Sequence, residues 1–211
     1  MKTVFHPASE RGVGEHGWLH TRFSFSFADW FNPNRMGFGA FRVLNDDIIE
    51  PEIGFDMHPH KDMEIITMVT EGAVAHRDSL GNAFTVRAGE VQVMSAGTGV
   101  VHAELNASRT EKLALFQLWI KPKITGVQPR YDQRVFRTNA KRTLLVSGDK
   151  SDGVLFIHQD TRIWNVRLES DELGSYEIKD GTHGVYFFVI EGTCMIAGAT
   201  LGPRDAVGVW D

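Results

Sequence analysis

Ile66-Thr67-Met68-Val69-Thr70-Glu71-Gly72 and Phe187-Phe188-Val189-Ile190-Glu191-Gly192 are two versions of one phrase. Each is an apolar, β-prone run that ends in Glu-Gly just before another strand-like run. A second phrase also occurs twice, as Val86-Arg87-Ala88-Gly89-Glu90-Val91 and as Thr200-Leu201-Gly202-Pro203-Arg204-Asp205-Ala206-Val207. Such self-similarity marks an internal duplication, and two similar β-barrels in tandem are expected.

The texture around these phrases agrees. Short strand candidates span 38–45, 64–71, 73–78, 84–88, 91–95 and 113–120, and in the second half 143–147, 154–159, 161–168, 174–178, 185–191 and 193–197. Turn-forming stretches such as Ser79-Leu80-Gly81-Asn82 and Ala96-Gly97-Thr98-Gly99 separate them. The alternation of Phe23, Phe25 and Phe27 reads as one more half-buried strand. The fold class expected is all-β.

Residues 121–150 change character. Lys121-Pro122-Lys123, Gln128-Pro129-Arg130 and a basic stretch with Arg134, Arg137, Lys141 and Arg142 read as a connector. The division expected is therefore 1–120 for a first barrel, 121–150 for the linker and the start of the second, and 151–211 for the second barrel. Trp210-Asp211 falls before the closing strands that a full second copy needs, so the second barrel is expected to be short of strands.

At 211 residues, with 42% hydrophobic and 23% charged residues, the chain has the composition of an ordinary globular protein. It shows neither a bilayer-spanning apolar run nor an apolar leader. The net charge of −5 and the lack of aromatic interleaving in the basic stretch argue against direct nucleic-acid binding. A single cysteine, Cys194, excludes an internal disulfide and any multi-cysteine zinc module.

The chemistry is concentrated in two short pieces. One is His58-Pro59-His60, with Glu64 four residues on, and the other is His102-Ala103-Glu104. On a strand, residues i and i+2 share a face. Two such strands in one barrel aim three imidazoles and a carboxylate at one point, a donor set that suits Fe, Mn, Ni, Cu or Zn. Counted by parity alone, Glu64 shares a face with His58 and His60, so it stands beside Glu104 as an alternative ligand or as an acceptor that orients an imidazole. The remaining histidines, His6, His16, His20, His76, His158 and His183, read as core or surface residues. Phe38, Phe41, Met57, Met63 and Met68 are candidates for an apolar substrate lining, and the five tryptophans read as packing residues.

Gly54, His58-Pro59-His60, Glu64 and Gly72 resemble the first cupin motif, and Gly89, Gly97, His102 and Asn106 resemble the second. Within the cupins the chain looks most like the pirins. Residues 58–64, 76–82 and 91–104 carry that resemblance, with Leu118-Trp119-Ile120 and Pro129-Arg130-Tyr131 adding to it. Lys61-Asp62-Met63 departs from the Arg-Gly-Phe usual after the histidine pair, a change at the rim of the pocket.

The resemblance implies a bicupin of two double-stranded β-helix (jelly-roll) barrels. The N-terminal barrel would hold one metal on His58, His60, His102 and Glu104, commonly Fe(II), with Cu, Ni, Mn or Zn as alternatives, and the second barrel would be metal-free. It implies a quercetin 2,3-dioxygenase that opens a flavonol with O₂ and releases CO; a carboxylate within reach, Glu104 or else Glu64, can take the hydroxyl proton. The alternatives are a pirin-type transcription cofactor working through a protein partner and a non-catalytic binding protein. A monomer in the bacterial cytoplasm is the remaining expectation.

Overall fold

The computed structural model describes residues 1–136, 140–178 and 181–211. Among the described residues the only helical segments are two single 3₁₀ turns, Ala8–Glu10 and Lys150–Asp152. No helix is long and apolar enough to cross a membrane.

The first half runs β1 (Lys2–His6), β2 (Gly12–Glu15), β3 (Leu19–Phe23), β4 (Phe41–Ile49), β5 (Gly54–His60), β6 (Glu64–Glu71), β7 (Ala73–Asp78), β8 (Ala83–Arg87), β9 (Glu90–Ser95), β10 (Val100–Asn106), β11 (Leu113–Ile120) and β12 (Arg130–Val135). The second runs β13 (Arg142–Ser147), β14 (Leu155–Phe156), β15 (Arg162–Val166), β16 (Gly184–Phe188), β17 (Cys194–Ile196), β18 (Ala199–Leu201) and β19 (Ala206–Trp210).

A seven-stranded sheet, ordered β12-β9-β6-β11-β4-β3-β2, faces a four-stranded sheet, ordered β5-β10-β7-β8. Alternation along β6 sorts its residues between two compartments. Ile65, Thr67 and Val69 face the four-stranded sheet, whereas Ile66 and Met68 join a cluster that includes Leu145, Val146, Leu155 and Ile157 of the second half. One sheet thus supplies a wall of the first barrel and the contact between halves. Fully burying one such aliphatic side chain stabilises by about 1.5–3 kcal/mol, so this shared wall ties the halves together.

The duplication is visible in three dimensions. β6 pairs antiparallel with β9, and β16 pairs antiparallel with β19. Gly72 and Gly192, which end the repeated phrase, have φ of +74° and +77°. Only glycine adopts that left-handed turn at no steric cost. The architecture is that of a bicupin.

Several expectations need correction. β1 pairs with β19 from Lys2↔Trp210 to His6↔Ala206, so the first residues of the chain belong to a sheet of the second half. The stretch expected as a connector holds β12, which extends the large sheet along β9, before β13 opens the second half at the strand expected over 143–147. Arg137 of its basic run lies outside the described residues. Residues 174–178, expected as a strand, form none, since almost all of them are exposed and have no sheet partner. The phenylalanine run leaves the strand after Phe23, and Phe25 is fully buried in the cluster between halves. The strand expected from residue 38 starts at Phe41.

Candidate metal centre

Pro59 sits between the two histidines of β5. A proline has no N–H for a ladder, so it is tolerated on an edge strand, and β5 is an edge of its sheet. Its inner neighbour is β10, with His102 opposite His58 and Val100 opposite His60. Further on the register shifts, so that Glu104 lies opposite Phe55. One residue of β10, Ala103, there stands opposite two of β5, Asp56 and Met57, a bulge of the kind that re-aims side chains.

The three imidazoles converge. Ring centroids are 4.8 Å apart for His58 and His60, 4.4 Å for His58 and His102, and 4.9 Å for His60 and His102. One ligand nitrogen from each lies within 4.8 Å of the others. His58 Nδ1 lies 2.6 Å from the Asp56 carbonyl, so it donates there and leaves Nε2 as the ring's lone-pair atom. His60 Nε2 and both ring nitrogens of His102 are buried with no hydrogen-bond partner. Burial, then the neighbouring imidazoles, lowers His60 to about 4 and His102 to about 3. Both rings are therefore neutral near pH 7, the form that binds metal. Buried polar atoms are almost always satisfied, and these unpartnered, neutral, convergent nitrogens fit a transition-metal ion.

Glu104 is held in a polar cage. Thr67 Oγ1 donates to its Oε1 at 3.0 Å, Gln92 Nε2 donates to the same oxygen, and Gln117 Nε2 donates to Oε2 at 2.7 Å. Thr67 is the cross-strand partner of both Gln92 and Gln117, so three adjacent strands present one polar row to the carboxylate. Apolar clusters flank this row, with Val69, Val74, Val86 and Leu115 on one side and Ile65, Met94 and Val100 on the other. Asp47 is also buried, and burial pushes its carboxyl up to about 7.

His76, expected as an ordinary core residue, lies opposite Glu104 on β7 and groups with His102 and Glu104. Its Nε2 meets Asp78 Oδ2 at 3.2 Å, and its ring stacks on Tyr131 at 4.5 Å. Asp78 also accepts from the backbone N–H groups of Leu80 and Asn82 and from the Asn82 amide, which hold it in place. The sequence does carry a trace of the cage: Thr67, Gln92 and Gln117 are single polar residues inside otherwise apolar runs.

Glu64 is not brought to the histidines. It faces the second half, accepting from Ser95 Oγ at 2.7 Å and meeting His158 Nδ1 at 3.2 Å. Parity from His58 fails because β5 ends at His60 and the chain turns through Asp62, at φ +47°, before β6 begins. The apolar candidates divide likewise. Phe38, Phe41 and Met68 pack in the cluster between halves, with Phe38 against Tyr186 and Trp210. Met57 is 45% exposed on β5. Only Met63 stays near the centre, packed with Trp119, whose indole meets the His60 ring edge-on at 4.9 Å.

The family model described as Pirin matches residues 5–120, and that described as Quercetinase C-terminal cupin domain matches residues 144–211. A quercetin 2,3-dioxygenase of Escherichia coli K12 is 47% identical over 204 residues, covering 97% of this chain and 88% of its own. A pirin-like protein of Caulobacter vibrioides is 41% identical over 209 residues, covering 97% of this chain and 89% of its own. The crystal structure of the bacterial pirin YhhW from Escherichia coli in complex with nickel(II) superposes with a TM-score of 0.95 at 46% identity, covering 100% of this chain and 90% of that one.

Proposed function

The chain belongs to the pirin family of cupin proteins, and from that premise we propose that it is a metal-dependent dioxygenase of the quercetin 2,3-dioxygenase type. It cleaves a flavonol with O₂ and releases carbon monoxide, leaving both oxygen atoms of O₂ in the ring-opened ester. The observation that carries this reading is the set of neutral, unpartnered imidazole nitrogens facing one another beside a caged glutamate.

His58, His60, His102 and Glu104 are the residues assigned to the ion, and Fe(II) is the ion proposed. When bound, the ion would act as a Lewis acid toward the acidic 3-hydroxyl of the flavonol.

The protein's own groups do the rest. Glu104 accepts the hydroxyl proton at Oε2, which takes one hydrogen bond where Oε1 takes two. Thr67, Gln92 and Gln117 hold the carboxylate still, so little reorganisation accompanies the transfer. The Asp56 carbonyl fixes the tautomer of His58.

The test is anaerobic loading with Fe(II), then addition of quercetin and O₂, following flavonol loss and carbon monoxide together, with His60→Ala as control. Carbon monoxide from the wild type and none from the variant is expected. A protein that binds the metal tightly yet turns over no quercetin sinks this reading.

A further inference from the structure

A cavity shares a wall with the candidate metal centre. It measures about 280 Å³ and lies between the segment 26–36 and the face of the large sheet that carries Val43 and Trp119. Its lining is aromatic and apolar, from Phe27, Trp30, Phe31, Met63 and Trp119, with a single charged group, Arg42. Trp119 is the shared wall, because it lines this cavity and also meets His60 at 4.9 Å.

The walls are built rather than incidental. A Cβ added to Gly12 would lie 2.3 Å from Trp30 Cδ2, so the Trp30 indole rests directly on bare backbone and is held there. Phe27 packs edge-on against Trp119 at 5.3 Å. Two donor groups of this region have no carboxylate partner. Arg42 donates from one guanidinium nitrogen to the Ser26 carbonyl at 2.6 Å, and no carboxylate among the described residues pairs with it. Trp119 Nε1 is buried with no acceptor.

A guanidinium without a counter-ion at the edge of an aromatic box selects for charge as well as shape. The rings offer faces and edges to a planar π-system. The fork of Arg42 offers charge-assisted hydrogen bonds to an oxyanion, the strongest kind available to a neutral-pH ligand. The volume, at the small end of ligand pockets, suits one or two aromatic rings.

The geometry points to a binding site for an aromatic oxyanion in this cavity, with Arg42 as its counter-ion and Trp119 as the wall between it and the metal centre. Taking that ligand as the outer ring of the substrate rests on the dioxygenase reading, whereas the binding itself does not. Arg42 and Trp119 then set which substrates are accepted: planar, and acidic at the end remote from the metal.

The test uses metal-free full-length protein and two probes with the same ring, 4-hydroxycinnamate and its methyl ester. Tryptophan fluorescence and calorimetry report binding. The acid is expected to bind at least tenfold more tightly than the ester. Arg42→Met lowers the acid's affinity about tenfold and erases the preference, and Arg42→Lys, which keeps the charge, restores part of it. Phe31→Ala, at a ring 70% exposed and so safe for folding, weakens both probes alike. Equal affinity for acid and ester, no saturable binding, or an Arg42→Met protein that binds the acid as the wild type does overturns the assignment. This pattern in a protein without quercetin turnover defeats the dioxygenase reading alone, and turnover without the pattern defeats the pocket alone.

Discussion

Two glutamates compete for the same role on sequence grounds, and paired substitutions separate them. Glu64 is 1% exposed and accepts from Ser95 at 2.7 Å, beside His158 at 3.2 Å, facing the second half. Glu64→Gln exchanges a hydrogen bond to a charged group for one between neutral groups. Bonds to charged groups contribute about 1.5–3 kcal/mol, and in a domain of this size 1 kcal/mol moves the midpoint by about 2–4 °C. Neutral bonds contribute about 0.5–1.5 kcal/mol, so the exchange costs about 1–1.5 kcal/mol and a fall of about 2–6 °C in melting temperature is expected, with metal affinity unchanged within about twofold.

Glu104→Gln has the opposite signature. It removes an anionic donor from the ion and points an amide at the Gln117 donor that now serves Oε2. Loss of a mere supporting group around a metal costs 10–100-fold in affinity, so loss of a ligand costs at least about 100-fold. Competition against a fluorescent chelator with Ni(II) or Fe(II) reads affinity, and calorimetric melting of the metal-free proteins reads stability. If Glu64→Gln loses metal as severely as Glu104→Gln, or if Glu104→Gln keeps wild-type affinity, the assignment of the two carboxylates is wrong.

Three further outcomes follow from the same geometry. His6 is buried, and desolvation, then the charge of Arg35, lowers it to about 4. The unfolded chain takes up its proton near pH 6.5 and the folded one near 4, so His6 costs stability as pH falls through that window, up to about 3 kcal/mol. The difference in unfolding free energy between wild type and His6→Gln should therefore grow in the variant's favour from pH 7 to 4, and a difference independent of pH refutes it. Phe38→Ala, which strips a ring from Tyr186 and Trp210, should lower stability by about 3 kcal/mol in urea and leave metal and ligand affinities within about twofold; a loss of ligand affinity at unchanged stability returns Phe38 to the binding site. Metal at 100-fold over its dissociation constant should stabilise the protein by about 3 kcal/mol, a gain in melting temperature that a chelator reverses; no shift on loading argues against a site formed in the folded state.

The local patterns were legible in the chain because strand periodicity is local. His58 and His60 share a face, as do His102 and Glu104, whatever the rest of the fold does. The repeated phrases ending in Gly72 and Gly192 announced two barrels, because a left-handed turn needs the same residue each time it is built.

What tertiary structure alone decided is how strands far apart in sequence register against one another. Parity counted through His60 to Glu64 assumed one continuous strand, and the turn at Asp62 sends Glu64 to the other side of the sheet. His76 reaches His102 and Glu104 only because β7 and β10 pair Glu104 with it. Met68 faces away from the centre because Thr67 faces in. β1 leaves the half it begins and completes a sheet with β19. Side-chain direction repeats every two residues and can be read within one strand, whereas register and face are chosen by packing between strands, which no single segment encodes.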